Sequence, residues 1–444
     1  MIVMKFGGSS VADHPQIEKV RSIVALEQSK GRRPLVVCSA HKGITDALVN
    51  AAKEAAAGRL DAEAVIAKQE RVRQELGVAE AVLAPLYQEL RDLLRGLSLV
   101  RELSPRSLDY VSSFGERFSV RVIAAFFAQL GTPAQAFDVW DLGFVTDANF
   151  GNARPLAGYE GNVREAVNKL DPAVMPIVTG FIGKTASGEV TTVGRNGSDL
   201  TATLLGAALE VSEVQIWSDT DGVMTADPRI VRQARNIPEM RFDEASELAY
   251  FGSRMLHPAT LLPAMSANIP VRVLNTNRAE HPGTVITRQA VNDNRVTSIA
   301  YKEKQFVLTV SSTRMFGEAG FLERVFETCR QCGVVVDLVT TSEVSISLTG
   351  NAEGPIRAAA TKLAELGEVS IDDGRSIVAV VGQHLASRRG IGAEIFGALA
   401  RVAVNVEMIS FAKGSINLSF VVSDADVGKA IGALHAVLFE GPAS

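Results

Sequence analysis

Lys5 closes an apolar run and is followed at once by Phe6, Gly7, Gly8, Ser9 and Ser10. Glycines let backbone N–H groups approach an anion closely and a lysine supplies charge, so this loop has the parts of a phosphate site. The cation precedes the glycines, which is not the G-x-x-x-x-G-K-[ST] order of a P-loop. A plain strand-to-helix turn is the competing reading, and the loop alone does not choose. Three more segments gather glycine, hydroxyls and charge where apolar runs end: SAHKGIT at 39–45, SSFGERFS at 112–119 and TTVGRNGSDLTATLLGAALE at 191–210. In the last of these, Ser198 and Asp199 stand before an apolar helical pattern, the ordinary place of an N-cap. Capping leaves Arg195 unexplained, and its planar fork between Gly194 and Asn196 suits a bidentate grip on a carboxylate. A fifth segment, IWSDTDGVMTADPR at 216–229, carries three aspartates and Arg229 after a strand; its plain reading is an acidic turn.

These loops need a scaffold that brings them together. Short β-rich runs at 2–6, 35–38, 134–140, 174–182, 213–219 and 270–274 alternate with helical patterns, which predicts an α/β fold with a mostly parallel sheet. Ligands gather at the carboxyl ends of such strands, so the loops are expected to converge on one crevice. Asp13 is an N-cap candidate, with Pro15 in the first turn and Ile17, Val20, Ile23 and Val24 on one face. Residues 45–104 are rich in Ala, Leu, Glu and Arg and read as a helical excursion.

The polar stretch at 288–298 marks a domain boundary. Beyond it the chain repeats at an offset of 70 residues: Gly320 matches Gly390, Phe326 matches Phe396, Val334 matches Val404, Val336 matches Val406 and Asp337 matches Glu407. Each copy reads strand, helix, strand, strand, helix, the order of a ferredoxin-like βαββαβ unit. Such a pair suits dimerisation or ligand sensing, and periodicity does not separate the two.

A chain of 444 residues predicts two or three domains. Lys+Arg 45 against Asp+Glu 50 gives a net charge of -5, with KGRR at 30–33 the densest basic cluster near the N-terminus, which argues against nucleic acid or anionic membrane as partner. No run approaches a membrane span and the first residues lack the pattern of a signal peptide, so the expected compartment is the cytoplasm. Cys329 and Cys332 form a C-x-x-C on a helical pattern without a second pair, and helix packing is the reading preferred to metal binding. His257 is read as structural.

Taken in order, KFGGSSVAD, SFGER, TGFIG, GRNGSDLTA, SDTDGVMTADPR, FGSRMLHPATLLPA and LVTTSEVSISLT resemble the aspartokinases (aspartate kinases) of the amino-acid kinase superfamily, over essentially the whole chain. The length resembles the monofunctional form. The resemblance implies the reaction ATP + L-aspartate to ADP + 4-phospho-L-aspartate with Mg²⁺, the first step of the aspartate pathway to lysine, threonine and methionine, the lysine branch running through diaminopimelate. It implies a three-layer kinase domain over 1–290 and two ACT domains, 299–373 and 374–444, interleaved along the chain. The family pattern makes Lys5 the stabiliser of the transferring phosphoryl group and Asp199 its organiser. Gly7, Gly8 and Ser9 surround the phosphates, while Glu116 meets the substrate ammonium and Arg195 its α-carboxylate, with Ser39, Thr45 and Ser198 nearby. Ser218, Asp219, Met224, Arg229 and Arg254 border the nucleotide, and the metal is held mainly by the ATP phosphates, with no protein cluster of its own.

Several positions depart from the commoner family pattern. Ser9 and Ser218 stand for threonine, Asn196 for glycine, Met224 for tyrosine, Arg254 for lysine and Asp46 for asparagine. In the repeat, Met315, Gly320, Phe321, Leu322, Val336, Asp337, Ser342 and Glu343 resemble the effector site of lysine-inhibited members, with lysine expected ahead of threonine as inhibitor. A homodimer through the ACT domains, with a tetramer as a further possibility, is implied as well. Two alternatives stay open at this stage: a related kinase with another substrate, and an inactive amino-acid sensor.

Overall fold

The computed structural model describes residues 1–252, 256–290 and 296–440. Two compact units emerge, the first made of Met1–Val223, Pro238–Phe242 and Met255–Ala290, the second of Met224–Ile237, Asp243–Arg254 and Val291–Ser444.

The first unit is built on β1 (Ile2–Phe6), β2 (Pro34–Cys38), β3 (Ala134–Phe137), β4 (Val145–Thr146), β5 (Met175–Thr179), β6 (Ile182–Thr185), β7 (Val190–Thr192), β8 (Val214–Ser218), β9 (Glu239–Arg241), β10 (Val271–Asn275) and β11 (Thr284–Thr287). Eight of them form one sheet in the order β3-β5-β2-β1-β8-β10-β11-β9, and β4, β6 and β7 form a small second one. Only the β10–β11 pair of the large sheet is antiparallel. Its helices are α1 (His14–Ser29), α2 (Ile44–Ala56), α3 (Glu63–Glu75), α4 (Ala84–Val100), α5 (Pro105–Gln129), α6 (Tyr159–Asn168), α7 (Gly197–Ala208) and α9 (Pro258–Ala267), while α8 (Phe242–Tyr250) belongs to the second unit from Asp243 on.

Every residue of β1 and β2 is buried, as a parallel sheet covered on both faces requires. Met4, Phe6, Val36 and Cys38 join one core with Ile17, Val20 and Val24 of α1 and Phe114 and Phe118 of α5. The alternate residues Val3 and Lys5 face the opposite side, where α7 lies close enough that a Cβ on Gly206 would meet Val214 Cγ2 at 2.5 Å. Asp13 caps α1, accepting from the Gln16 N–H at 3.0 Å. The excursion at 45–104 is α2, α3 and α4. His257 caps α9 through its side chain, which accepts from the Ala259 N–H at 3.2 Å.

Two strand expectations need correction. The run 174–182 splits into β5 and β6, because Gly180 sits where a Cβ would meet Ser198 Cβ at 2.5 Å and Phe181 turns the chain at φ 65°. The run 134–140 ends at Phe137, where the Val139 N–H leaves the ladder for Thr179 Oγ1 at 2.9 Å. The expected cap of α7 also changes. Asn196, at φ 53°, precedes the helix, and Asp199 lies inside its first turn.

In the second unit β12 (Ser298–Ser311), α10 (Phe321–Gln331), β13 (Val339–Thr341), β14 (Ser345–Gly350), α11 (Glu353–Leu363), β15 (Glu368–Val381), α12 (Ile391–Arg401), β16 (Met408–Ser410), β17 (Asn417–Ser423) and α13 (Val427–His435) give one antiparallel sheet, ordered β13-β14-β12-β15-β17-β16. The two 14-residue strands, β12 and β15, each run through both halves. In one half the end of β12 and the start of β15 complete a βαββαβ unit; in the other the end of β15 leads and the start of β12 closes, so that strand comes from upstream in the chain. Each half has its own core, Leu308, Phe321, Val325 and Leu348 in one and Val378, Ile395, Phe420 and Leu434 in the other. Cys329 packs in the former and Cys332 ends α10. The apolar runs VVVDLV and VNVEMIS yield only three-residue strands; at Leu338 the N–H goes to Thr349 Oγ1 at 2.9 Å, outside the regular ladder. No helix among the described residues is long and apolar enough to cross a membrane.

Candidate active site

At the carboxyl ends of β1 and β2 the first unit opens a cavity of about 450 Å³. Lys5, Gly7, Gly8 and Ser9 form one wall, Ser39 to Gly43 with Thr45 and Asp46 another, Glu116 the floor from α5, and Phe181 with Asn196 to Asp199 the side towards α7. Lys5 is rigid because it belongs to a central strand paired on both edges. Its Nζ lies 2.6 Å from Asp199 Oδ1, an ion pair off the angle of a hydrogen bond. Both residues are below 10% exposed, at 9% and 7%. The Gly7 N–H is already spent on the Trp217 carbonyl at 3.3 Å, whereas the amides of Gly8 and Ser9 meet no acceptor among the described residues.

Glu116 is held in place by a close approach of helix to loop. A Cβ on Gly115 would meet Ala40 Cβ at 2.7 Å, and this contact lets the Ala40 N–H donate to Glu116 Oε1 at 3.1 Å. The other oxygen, Oε2, is buried without a hydrogen-bond partner among the described residues. Burial pushes the Glu116 carboxyl up to about 8, against smaller opposing effects of the Ala40 amide, its own backbone amide and Lys5. An acceptor of this kind, with one lone oxygen and no cation of its own, fits a ligand that brings a positive charge. The arginine of the same motif serves structure: Arg117 reaches Glu89 at 3.1 Å.

The structure therefore brings Lys5, Gly7, Gly8, Ser9, Ser39, Thr45, Glu116, Ser198 and Asp199 to one cavity. Arg195 is exposed on the adjoining loop, one residue from the lining Asn196. Ser218 ends β8, the strand beside β1, and Asp219 follows it in a turn where Asn275 Nδ2 reaches Asp221 Oδ1 at 2.7 Å. Met224 and Arg229 belong to the second unit, where the Met224 carbonyl accepts from Ser298 Oγ at 2.8 Å and Arg229 pairs with Asp227 at 2.5 Å. Arg254 lies outside the described residues.

Among the effector candidates, Met315 and Val336 pack against the core that contains Phe321, Gly320 precedes α10 at φ 88°, and Leu322 is 40% exposed. Ser342 and Glu343 are exposed in the turn before β14. Asp337 is already occupied: its carboxylate takes Lys302 Nζ at 2.5 Å and the Tyr250 hydroxyl.

Lining residues missed from sequence include His41, Lys42 and Phe181. Lys42, a cation beside Gly43, had the same signal as Lys5. His41 is buried, and burial pulls its ring down to about 4 while Nδ1 lies 3.2 Å from Gln69 Oε1 on α3. Nothing local in the sequence marks Gln69 as its partner.

The chain also matches known families and structures. The amino acid kinase family model matches residues 1–275 and an ACT domain model matches 378–438. Aspartokinase 1 of Arabidopsis thaliana chloroplasts is 39% identical, over 99% of this chain and 80% of its own. The crystal structure of Escherichia coli aspartokinase III with aspartate and ADP matches with a TM-score of 0.84 at 34% identity, covering 99% of this chain and 100% of that one. The lysine and aspartate complex of the same enzyme matches with a TM-score of 0.81, also at 34% identity, over 99% of each chain. A kinase cleft built on strand-borne Lys5, a buried lone carboxylate and full-length likeness to these enzymes lead to one conclusion: the chain is an aspartokinase, a member of the amino acid kinase family.

Proposed function

We propose that the cavity binds L-aspartate as a free amino acid and passes the γ-phosphoryl group of ATP to its side-chain carboxylate. The observation that carries this reading is the partnerless Glu116 Oε2 beside the Lys5–Asp199 pair. The substrate ammonium meets Glu116, Arg195 folds onto the α-carboxylate, and the hydroxyls of Ser39, Thr45 and Ser198 complete the pocket. The reacting carboxylate has a pKa of about 3.9 in solution and is ionised without a general base. Its oxygen forms the new bond to phosphorus as the bond to the ADP oxygen breaks, so catalysis consists of alignment and charge neutralisation.

Lys5 supports the charge that builds on the transferring group, Asp199 orients the Lys5 ammonium, and the free amides of Gly8 and Ser9 with the Ser9 hydroxyl receive phosphate oxygens. Gly7 contributes by its closeness, since its own N–H is engaged. This donor set fits a nucleotide triphosphate, with Mg²⁺ arriving on the phosphates. Ser218 and Asp219, with Met224, Arg229 and Arg254, are assigned to the nucleotide from the family pattern.

The chain is further read as a kinase domain over 1–290 followed by interleaved ACT domains over 299–373 and 374–444. These bind lysine as feedback inhibitor and join two chains in the cytoplasm, in a pathway that reaches lysine through diaminopimelate. The E. coli relative crystallised with lysine supports that choice of effector. ATP-dependent hydroxamate formation compared for aspartate, glutamate and N-acetylglutamate tests the substrate. Product from aspartate alone is expected, and no product from aspartate overturns the reading.

A further inference from the structure

Seven residues before Glu116, two turns along the same face of α5, Asp109 is 3% exposed and has no ion-pair partner among the described residues. Three donors converge on its carboxylate. Oδ2 accepts from the N–H groups of Gly151 and Thr192, both at 2.8 Å, and Oδ1 accepts from the Thr192 hydroxyl at 2.8 Å. Thr192 is the last residue of β7, and Asn196 and Gly197, a few residues on, line the cavity. The Gly151 turn backs directly onto the same loop. The Ala153 N–H donates to the Thr192 carbonyl at 2.9 Å, and Gly194 packs so closely that a Cβ there would meet Asn152 Oδ1 at 3.1 Å and the Gly151 carbonyl at 3.3 Å.

We propose that Asp109 is a positioning residue for the amino-acid substrate: it fixes the Arg195 loop at a set distance from Glu116, because one helix carries both carboxylates. This rests on the reading that Glu116 and Arg195 hold the two ends of aspartate. A buried carboxylate without a cation is costly, and here the three close donors offset that cost while tying the helix to the loop. Geometry rather than charge is what the clamp supplies. An amide in its place keeps an oxygen for the two backbone N–H groups, and its NH₂ faces the Thr192 hydroxyl, which then accepts instead of donating.

Steady-state kinetics of Asp109→Ala, Asp109→Asn and Thr192→Val, beside Arg195→Ala, test this. The alanine variant is expected to raise KM for aspartate by about tenfold to 100-fold, with kcat and KM for ATP within about threefold of the parent. Asp109→Asn returns KM for aspartate to within about threefold, and Thr192→Val, which loses the hydroxyl contact only, falls between. Equal KM rises in the alanine and asparagine variants, or a parallel loss of kcat and ATP affinity in Asp109→Ala, overturn the inference. Should the alanine variant not fold, Thr192→Val decides, and an unchanged KM for aspartate there overturns it as well. If Arg195→Ala leaves KM for aspartate unchanged, the two-ended grip itself is wrong; if it raises KM while Asp109→Ala does not, only the positioning role fails.

Discussion

Lys5 is a cation whose position is set by backbone rather than by its own long side chain. It projects from a strand hydrogen-bonded on both edges, towards the face where α7 presents Asp199. Its loss should therefore be felt in the transition state. Lys5→Ala is expected to lower kcat by about 100-fold to 1,000-fold with KM for aspartate within about threefold, while Arg195→Ala raises KM chiefly, as initial-rate measurements will resolve. Residue types and their loops were enough to nominate Lys5 and Arg195. Glu116 and the tie of Asp199 to Lys5 came from the family resemblance instead. Before a helix, Asp reads as a cap; that it sits in the first turn and faces Lys5 follows from the left-handed Asn196 and from which strand lies beneath. Asp109 was not nominated at all, since its three donors are 42 and 83 residues away.

At the scale of elements, α5 has 25 residues, carries Glu116 at its centre and approaches the 39–45 loop through Gly115. Gly115→Val should push the Ala40 loop away, since even a Cβ meets it at 2.7 Å. The expected outcome is a thermal melt several degrees lower, of the order of a 1–3 kcal/mol overpacking cost, together with a raised KM for aspartate. In the second unit, the Lys302 ammonium already fills the Asp337 carboxylate and lies 5.2 Å from the Tyr250 ring centroid. If Asp337 receives the effector ammonium, that ammonium must exchange with Lys302. Lys302→Met is then expected to lower the lysine concentration for half-inhibition, and an unchanged inhibition curve would separate Asp337 from the effector site. Strands and helices were largely readable because hydrophobic period changes at each boundary. The short strands β4, β7, β9 and β11 lie outside every expected run, and at the break at Gly180 and the short β13 a close approach or the Thr349 hydroxyl replaces a ladder bond, which leaves no periodic trace.

The molecule as a whole departs most from chain order. The 70-residue repeat correctly announced two related βαββαβ patterns, yet the sharing of β12 and β15 between both halves is a matter of pairing, which periodicity does not contain. The same holds for 224–237 and 243–254, which join the second unit from within the first part of the chain. An effector bound in the second unit acts on the kinase reaction only through a difference in its affinity for two arrangements of the enzyme. That regulatory claim depends on a cleft that recognises free aspartate, and the cleft's most telling feature is Glu116. Burial holds its carboxyl at about 8, so at pH 7 the empty site keeps the proton, and an arriving ammonium favours the ionised form and drives the proton out. Calorimetric titration with aspartate at pH 7, in buffers of differing ionisation enthalpy, is therefore expected to show release of close to one proton per aspartate bound, with none in Glu116→Gln. Heat that is independent of the buffer while aspartate still binds would contradict the account.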